Sequence, residues 1–354
     1  MAAVVQAGQT SVGFWLLSCT FVFQSAAVTG RRKSISPPAQ SPVRCKQFFM
    51  TVRYIILLIT FFVSCDLTAQ KIDSIKYDNG FLFYHEYGKG EPIILLSGGP
   101  GNNCSQLSEM ALTLSKNYRV ILLEQRGTGL SIPIPFDSTT INLTTAVSDL
   151  KLLLDKLKLS KAIFCGHSWG GSLAMYFATA YPSKVKSLIL IDPGFFSLGK
   201  ELTDNFYNNR SARWSISDKK LIDSLSIKKD KNTITNDELY TLKYTQRLAY
   251  ISKKERLDTL YKKLDAPVNS NMTSLLFNEA AKSKIDFRQS LKNLNKPVTI
   301  ICGSTDFLSD VSYELKINYP NYNLYWIQDS GHFPMYEQPE QFYSVLRKVI
   351  DTLK

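Results

Sequence analysis

The chain has 354 residues, with 42 Lys and Arg against 30 Asp and Glu for a formal net charge of +12, and is 44% hydrophobic and 20% charged. That composition excludes a disordered chain, a collagen-like repeat and a multi-span membrane protein. The length fits roughly one to three domains. Residues 1–69 hold six basic residues and one acid, a net +5, which leaves +7 for the remainder. That excess is spread through lysine-rich helical patterns and is not clustered with aromatics. It predicts a solvated basic surface and no nucleic-acid partner.

Residues 50–69 have the layout of a secretory signal peptide: Arg53, an apolar run from Tyr54 to Val63, then a short polar segment ending at Ala69. The apolar run is too short to span a bilayer comfortably. Cleavage after Ala69 gives a secreted or periplasmic protein beginning at Gln70. Phe62-Val63-Ser64-Cys65 offers the alternative of a lipoprotein anchored through Cys65. Residues 1–49, with a second mostly apolar stretch from Ser11 to Val28, read as an upstream extension outside the mature protein; if retained, they are a membrane anchor. Cys104, Cys165 and Cys302 follow the leader, and an odd number without close spacing supports neither a disulfide framework nor a zinc site.

Strands are predicted at Lys71–Tyr77 and Phe81–Tyr87, joined across Asp78-Asn79-Gly80, with Asn-Gly as the hairpin signal. Pro92–Leu96 and Arg119–Leu123 are continuous apolar runs, as fully buried strands read. Val147, Leu150, Leu153, Leu154 and Leu157 recur at helical spacing. Ala162–Cys165 is a strand, Gly170–Tyr181 a helix closed by Pro182, and Val185–Ile191 a strand. From Gly194 to Asn295 the patterns are helical and polar, with no buried strand. The alternation resumes at Pro297–Cys302 and Asn323–Ile327 and ends in a helix from Pro339 with Phe342, Val345, Leu346, Val349 and Ile350 on one face. Eight strands alternating with helices predict a mostly parallel sheet covered on both faces, with a helical insertion after the sixth strand.

Gly166-His167-Ser168-Trp169-Gly170 lies between a strand and a helix, the setting of a G-x-S-x-G nucleophile elbow. Ser168 must sit on a sharp turn to project its Oγ, and side chains at 166 or 170 would clash there. A nucleophilic serine needs a base, and the chain holds three histidines. His167 lies within the elbow and His85 in the second strand, whereas His332 follows the last strand in Asp329-Ser330-Gly331-His332-Phe333-Pro334. His332 is therefore the expected base. Asp306, after the seventh strand, is the expected orienting acid, giving the chain order Ser168, Asp306, His332. Asp192, just after the sixth strand, is the rival acid, and Asp310 reads as a helix cap. Ser97-Gly98-Gly99-Pro100-Gly101 follows the third strand and suits an oxyanion hole, with the N–H groups of Gly99 and Trp169 as donors.

With these motifs the chain resembles the α/β-hydrolases, and within them the proline iminopeptidase family, over roughly residues 75–354. The resemblance rests on Gly98-Gly99-Pro100-Gly101, on the run from Glu124-Gln125-Arg126-Gly127 to Ser131, on Ser168-Trp169-Gly170, and on Gly331-His332-Phe333-Pro334 with Glu337 and Pro339. It implies an α/β-hydrolase core at 70–193 and 296–354, a helical cap at 194–295, and a serine peptidase that releases N-terminal proline or another small residue from short peptides. No metal or organic cofactor is implied. Such an enzyme pairs cap carboxylates with the substrate's ammonium, and Glu201, Glu238 and Glu279 are candidates by location. The sequence departs from the family at Ser97 and Glu124, where the family has His and Asp, at His167, usually Gly, and in lacking the W-x-x-W-E cap pattern. A carboxylesterase with the same triad and a ligand-binding sensor on a hydrolase scaffold are the alternative readings. The expected partner is a small peptide or ester, with a membrane only through Cys65 or residues 1–49.

Overall fold

The computed structural model describes residues 70–353 apart from Leu198 and Ile285. The leader at 50–69, the extension at 1–49 and Cys65 lie outside the described residues. Among those described, no helix is long and apolar enough to cross a membrane.

Eight strands form one sheet: β1 (Lys71–Tyr77), β2 (Gly80–Tyr87), β3 (Pro92–Leu96), β4 (Arg119–Leu123), β5 (Ala162–His167), β6 (Val185–Ile191), β7 (Val298–Gly303) and β8 (Asn323–Ile327). Their order is β1-β2-β4-β3-β5-β6-β7-β8. β2 runs antiparallel to β1 and β4, and every other pairing is parallel. Successive side chains alternate between two buried faces. Ile94, Leu96, Ile121 and Phe164 enter one core, while Ile93, Leu95, Val120 and Ile163 enter the other. Burial on both faces is why these strands read as unbroken apolar runs.

Helices α1 (Ser108–Leu114), α2 (Leu143–Lys156) and α3 (Trp169–Ala180) follow β3, β4 and β5. Between β6 and β7 come α4 (Lys200–Ala212), α5 (Ile216–Asp230), α6 (Asn236–Arg247), α7 (Lys254–Leu264), α8 (Ser270–Lys282) and α9 (Arg288–Lys292). The chain closes with α10 (Ser309–Asn318), α11 (Pro334–Glu337) and α12 (Pro339–Asp351). α2, α3 and α10 cover one face of the sheet, and α1 and α12 the other.

Some boundaries differ from the sequence pattern. α2 begins at Leu143, one turn before the apolar repeat that starts at Val147, and Asn142 and Thr145 form a reciprocal capping box there. Its polar first turn, Thr144 and Thr145, hides the start from hydrophobic periodicity. β5 runs on through Gly166 and His167, which belong to the sheet and not to the turn.

The signature arginine stabilises this frame. Arg126 donates from Nε to Asp149 Oδ2 at 2.9 Å and from Nη2 to Oδ1 at 2.5 Å, and its guanidinium stands 4.0 Å from the Tyr77 ring centroid. Asp149 is buried, and burial pushes its carboxyl above the usual range against the pull of Arg126. Arg126→Met strands that carboxylate, so we expect it to cost about 3 kcal/mol. Adding Asp149→Leu should recover most of the loss, and denaturant midpoints of the two variants check this.

Candidate active site

The turn from β5 into α3 brings backbone into close contact. A Cβ on Gly166 would lie 2.2 Å from the Gly170 carbonyl oxygen, and one on Gly170 would lie 2.2 Å from that of Leu96. Ser168 between them has φ 54° and ψ −121°, a conformation costing on the order of 1–3 kcal/mol for a non-glycine residue. It is held by backbone bonds on both sides. Its N–H donates to Ile191 O at 2.9 Å, and its carbonyl accepts from Gly171 N at 2.8 Å and Gly194 N at 2.9 Å.

His332 and Asp306 come from the loops after β8 and β7. His332 Nδ1 lies 2.9 Å from Asp306 Oδ1, with both side chains buried. A carboxylate there only accepts, so the bond places the proton on Nδ1 and leaves Nε2 as the basic nitrogen. Ser168 and His332 line one cavity. Among the described contacts no hydrogen bond joins them, a looseness common before substrate is bound.

The other histidines brace. His167 Nε2 donates to the His332 carbonyl at 2.7 Å, and burial lowers its pKa to about 3, so it is neutral. His85 Nε2 sits 2.6 Å from Glu124 Oε1. The rival acid also braces. Asp192 has φ 41°, accepts from Gly303 N at 2.7 Å, and does not bond His332. Its Oδ2 and that of Asp306 are buried without another partner. Burial first, then the neighbouring Asp306 charge, holds Asp192 well above the usual carboxylate range.

Gly99 has φ 122°, and a Cβ there would fall 2.6 Å from Gly101 N. Among the described residues no backbone acceptor takes the N–H of Gly99 or of Trp169, as an oxyanion hole requires. Gln125 ties the two together: its Nε2 donates to Ser97 O at 2.8 Å, and its Oε1 accepts from Trp169 Nε1 at 2.9 Å. In the sequence Gln125 stands out only as part of a motif; a polar residue two positions beyond a buried strand was the available signal. Glu337 was likewise only a motif member. It is buried and accepts from Gly331 N at 2.7 Å and from Ser252 N at 2.8 Å, fixing the His332 loop.

The cavity has two lobes. Both touch Ser168, Gly99, Pro100, Phe206 and Phe277. One lobe adds Trp169, Tyr176, Phe195 and Leu276, and the other adds His332, Tyr250, Arg210 and Arg247. The proposed cap carboxylates reach neither lobe. Glu238 caps α6 through Thr235 and pairs with Lys228. Glu279 accepts from Leu143 N at 2.8 Å, at the start of α2. Glu201 is exposed in the first turn of α4. Each satisfies a helix end or faces solvent, which position along the chain could not reveal. Asp310 lies inside the first turn of α10 and accepts from Asn209; it is not the N-cap.

Two described clusters have metal-like composition, His85-Cys104-Glu124 and Asp192-Cys302-Asp306. Burial raises both thiols, that of Cys104 to about 12. Their other members are held by the hydrogen bonds above.

Residues 91–339 match the family model of the alpha/beta hydrolase fold, and the chain belongs to that family. Within it the chain resembles proline iminopeptidases. It is 24% identical to the "Proline iminopeptidase" of Heyndrickxia coagulans over 296 residues, 81% of this chain and 98% of that one. It is 35% identical to that of Arabidopsis thaliana over 135 residues, 37% of this chain and 34% of that one. In fold it is similar to an alpha/beta fold family hydrolase from Bacillus anthracis str. Sterne, with TM-score 0.63 and 22% identity over 79% of this chain and 99% of that one.

Two outcomes follow from this geometry. Asp306→Asn should lower kcat by about 10⁴-fold, because the imidazole takes the wrong tautomer, while Asp192→Asn should cost less than about tenfold; steady-state rates compare them. His167, at about 3 folded against 6.5 unfolded, contributes stability that is complete above pH 6.5 and lost as pH falls toward 3. A pH series of unfolding midpoints should show that slope, flattened in His167→Gln.

Proposed function

We propose that this is a serine hydrolase working through an acyl-enzyme. The observation that carries the reading is the 2.9 Å contact between Asp306 and His332 Nδ1, with His332 lining the same cavity as Ser168. Ser168 Oγ attacks a carbonyl carbon and His332 Nε2 takes its proton. Asp306 holds the imidazole and stabilises the imidazolium. The Gly99 and Trp169 N–H groups receive the charge that develops on the carbonyl oxygen, each worth about 3 kcal/mol. His332 then hands its proton to the leaving atom, and water, activated by the same nitrogen, releases the acyl group.

For the substrate, the lining favours an uncharged acyl group over a free ammonium. The lobe beside Trp169 is mostly aromatic and aliphatic, and among the described residues no carboxylate lines either lobe. An ester or blocked amide therefore suits the site better than a peptide with a free terminal proline, the reading that the resemblance to proline iminopeptidases supports. The leader at 50–69 supports action outside the cytoplasm.

Ser168→Ala should lower turnover by about 10⁴-fold or more and abolish fluorophosphonate labelling. Retained labelling would sink the mechanism, and an unlabelled native protein would favour the sensor reading. For the substrate, p-nitrophenyl acetate and N-blocked proline p-nitroanilide should outrun the free-amine anilide. Cleavage of the free-amine compound alone would establish an aminopeptidase.

A further inference from the structure

The hydrolytic machinery leaves the charge of the second lobe unexplained. Arg210 on α4 and Arg247 at the end of α6 line it together with Ser168 and His332. Arg119, Arg126, Arg256 and Arg288 each face a carboxylate, and Arg213, outside the lobe, bonds the Ile251 carbonyl; Arg347, also outside it, shares with the two lobe arginines the lack of an ion pair among the described residues. Arg210 and Arg247 face none among the described residues. The Arg210 guanidinium is stacked among aromatic rings, 5.5 Å from the Phe206 centroid, 5.4 Å from Tyr207 and 5.3 Å from Trp214. Its Nη1 reaches the Tyr250 hydroxyl at 3.5 Å, and its Nε is buried with no partner. Arg247 has neither an ion pair nor a hydrogen bond among the described residues. Two half-buried cations without counter-charge, one with an orphaned donor, make a site that an anion completes. Guanidinium suits carboxylate in particular, through parallel N–H bonds.

The proton path says which part of a substrate would reach them. His332 must protonate the leaving atom, so the leaving group lies on the His332 side, in the lobe that holds both arginines. The acyl group then falls to the apolar lobe beside Trp169 and Tyr176. Tyr250 links the two functions. Its ring packs edge-on against His332 with centroids 5.5 Å apart, and its hydroxyl is the acceptor of Arg210.

We infer that Arg210 and Arg247 bind a carboxylate carried by the leaving group, so that the enzyme cleaves acyl esters or amides of a hydroxy acid or an amino acid. The inference rests on the acyl-enzyme reading for the direction of the substrate, but not for the existence of the anion site.

The test compares 4-nitrophenyl acetate with 3-carboxy-4-nitrophenyl acetate on the full chain, each rate divided by that of alkaline hydrolysis. We expect kcat/KM to favour the carboxylated ester by roughly tenfold or more. The preference should fall toward one in Arg210→Met and in Arg247→Met, chiefly through KM, and Arg247→Lys should restore part of it. Thermal melting identifies a variant that has failed to fold, and the second arginine then decides. No preference in the native protein, or one that neither variant moves, overturns the proposal. A binding measurement separates the two readings. Calorimetric titration of Ser168→Ala with the two phenol products should show tighter binding of 5-hydroxy-2-nitrobenzoate than of 4-nitrophenol, and adding Arg210→Met should erase the difference. Selective binding without turnover of either ester would leave the anion site standing and overturn the acyl-enzyme reading. Turnover without selectivity would do the reverse.

Discussion

The close approach of β3, β5 and α3 sets the conditions for everything else at the site. With hydrogen in place of Cβ at residues 166 and 170, the backbone of the elbow lies against the Leu96 carbonyl, and Ser168 is forced to positive φ. A strained residue persists only where its surroundings over-determine it. Here they do, through bonds to Ile191 at the end of β6 and to Gly194 just beyond it. The sheet therefore positions Ser168 directly, since β5 runs into it. The same contact brings the Gly99 loop beside Trp169, where Gln125 spans the gap.

The acid side of the site is built by electrostatic contrast. Two aspartates sit at the ends of adjacent parallel strands, β6 and β7, where both would be unstable as charges. Burial and the nearby Asp306 push the Asp192 carboxyl up, and a backbone N–H bonds one of its oxygens. Asp306 is thus free to serve the imidazole. The His332 carbonyl is held in turn by a histidine that burial keeps neutral. Buried polar groups thus support the His332 imidazole, and among the described residues Asp306 is the one that bonds its ring.

Much of this was legible in the sequence, and the reason is physical. The strands are buried on both faces, so PIILL, RVILL and VKSLILI carry an unambiguous signal, and residues bound to strand ends inherit their positions from it. Ser168, Asp306 and His332 fall in that class. The side chains of the insertion do not. Its helices are amphipathic and polar, and which face meets the cavity depends on how they pack on the core. Glu238 and Glu279 were placed in the right segment but serve helix ends, while Arg210 and Arg247, which do reach the cavity, looked like two more members of a basic surface. Gln125 and Glu337 were visible only as letters in a motif, since their partners, Ser97, Trp169, Ser252 and Gly331, are distant in sequence.

The Glu337 clamp also bears on how separable the insertion is. The Ile251–Ser252 linker between α6 and α7 is bound into the His332 loop: His332 N donates to Tyr250 O, Ser252 Oγ to Asp329 O, and Ser252 N to Glu337. A wall of the pocket that holds the imidazole is thus made from the insertion itself. Specificity in such an architecture cannot be exchanged as a cassette by transplanting residues 194–295 from a relative. The modular boundary runs through the insertion: the stretch around Tyr250 belongs with the His332 loop, and α8 is tied to the core through Thr273 and Glu279.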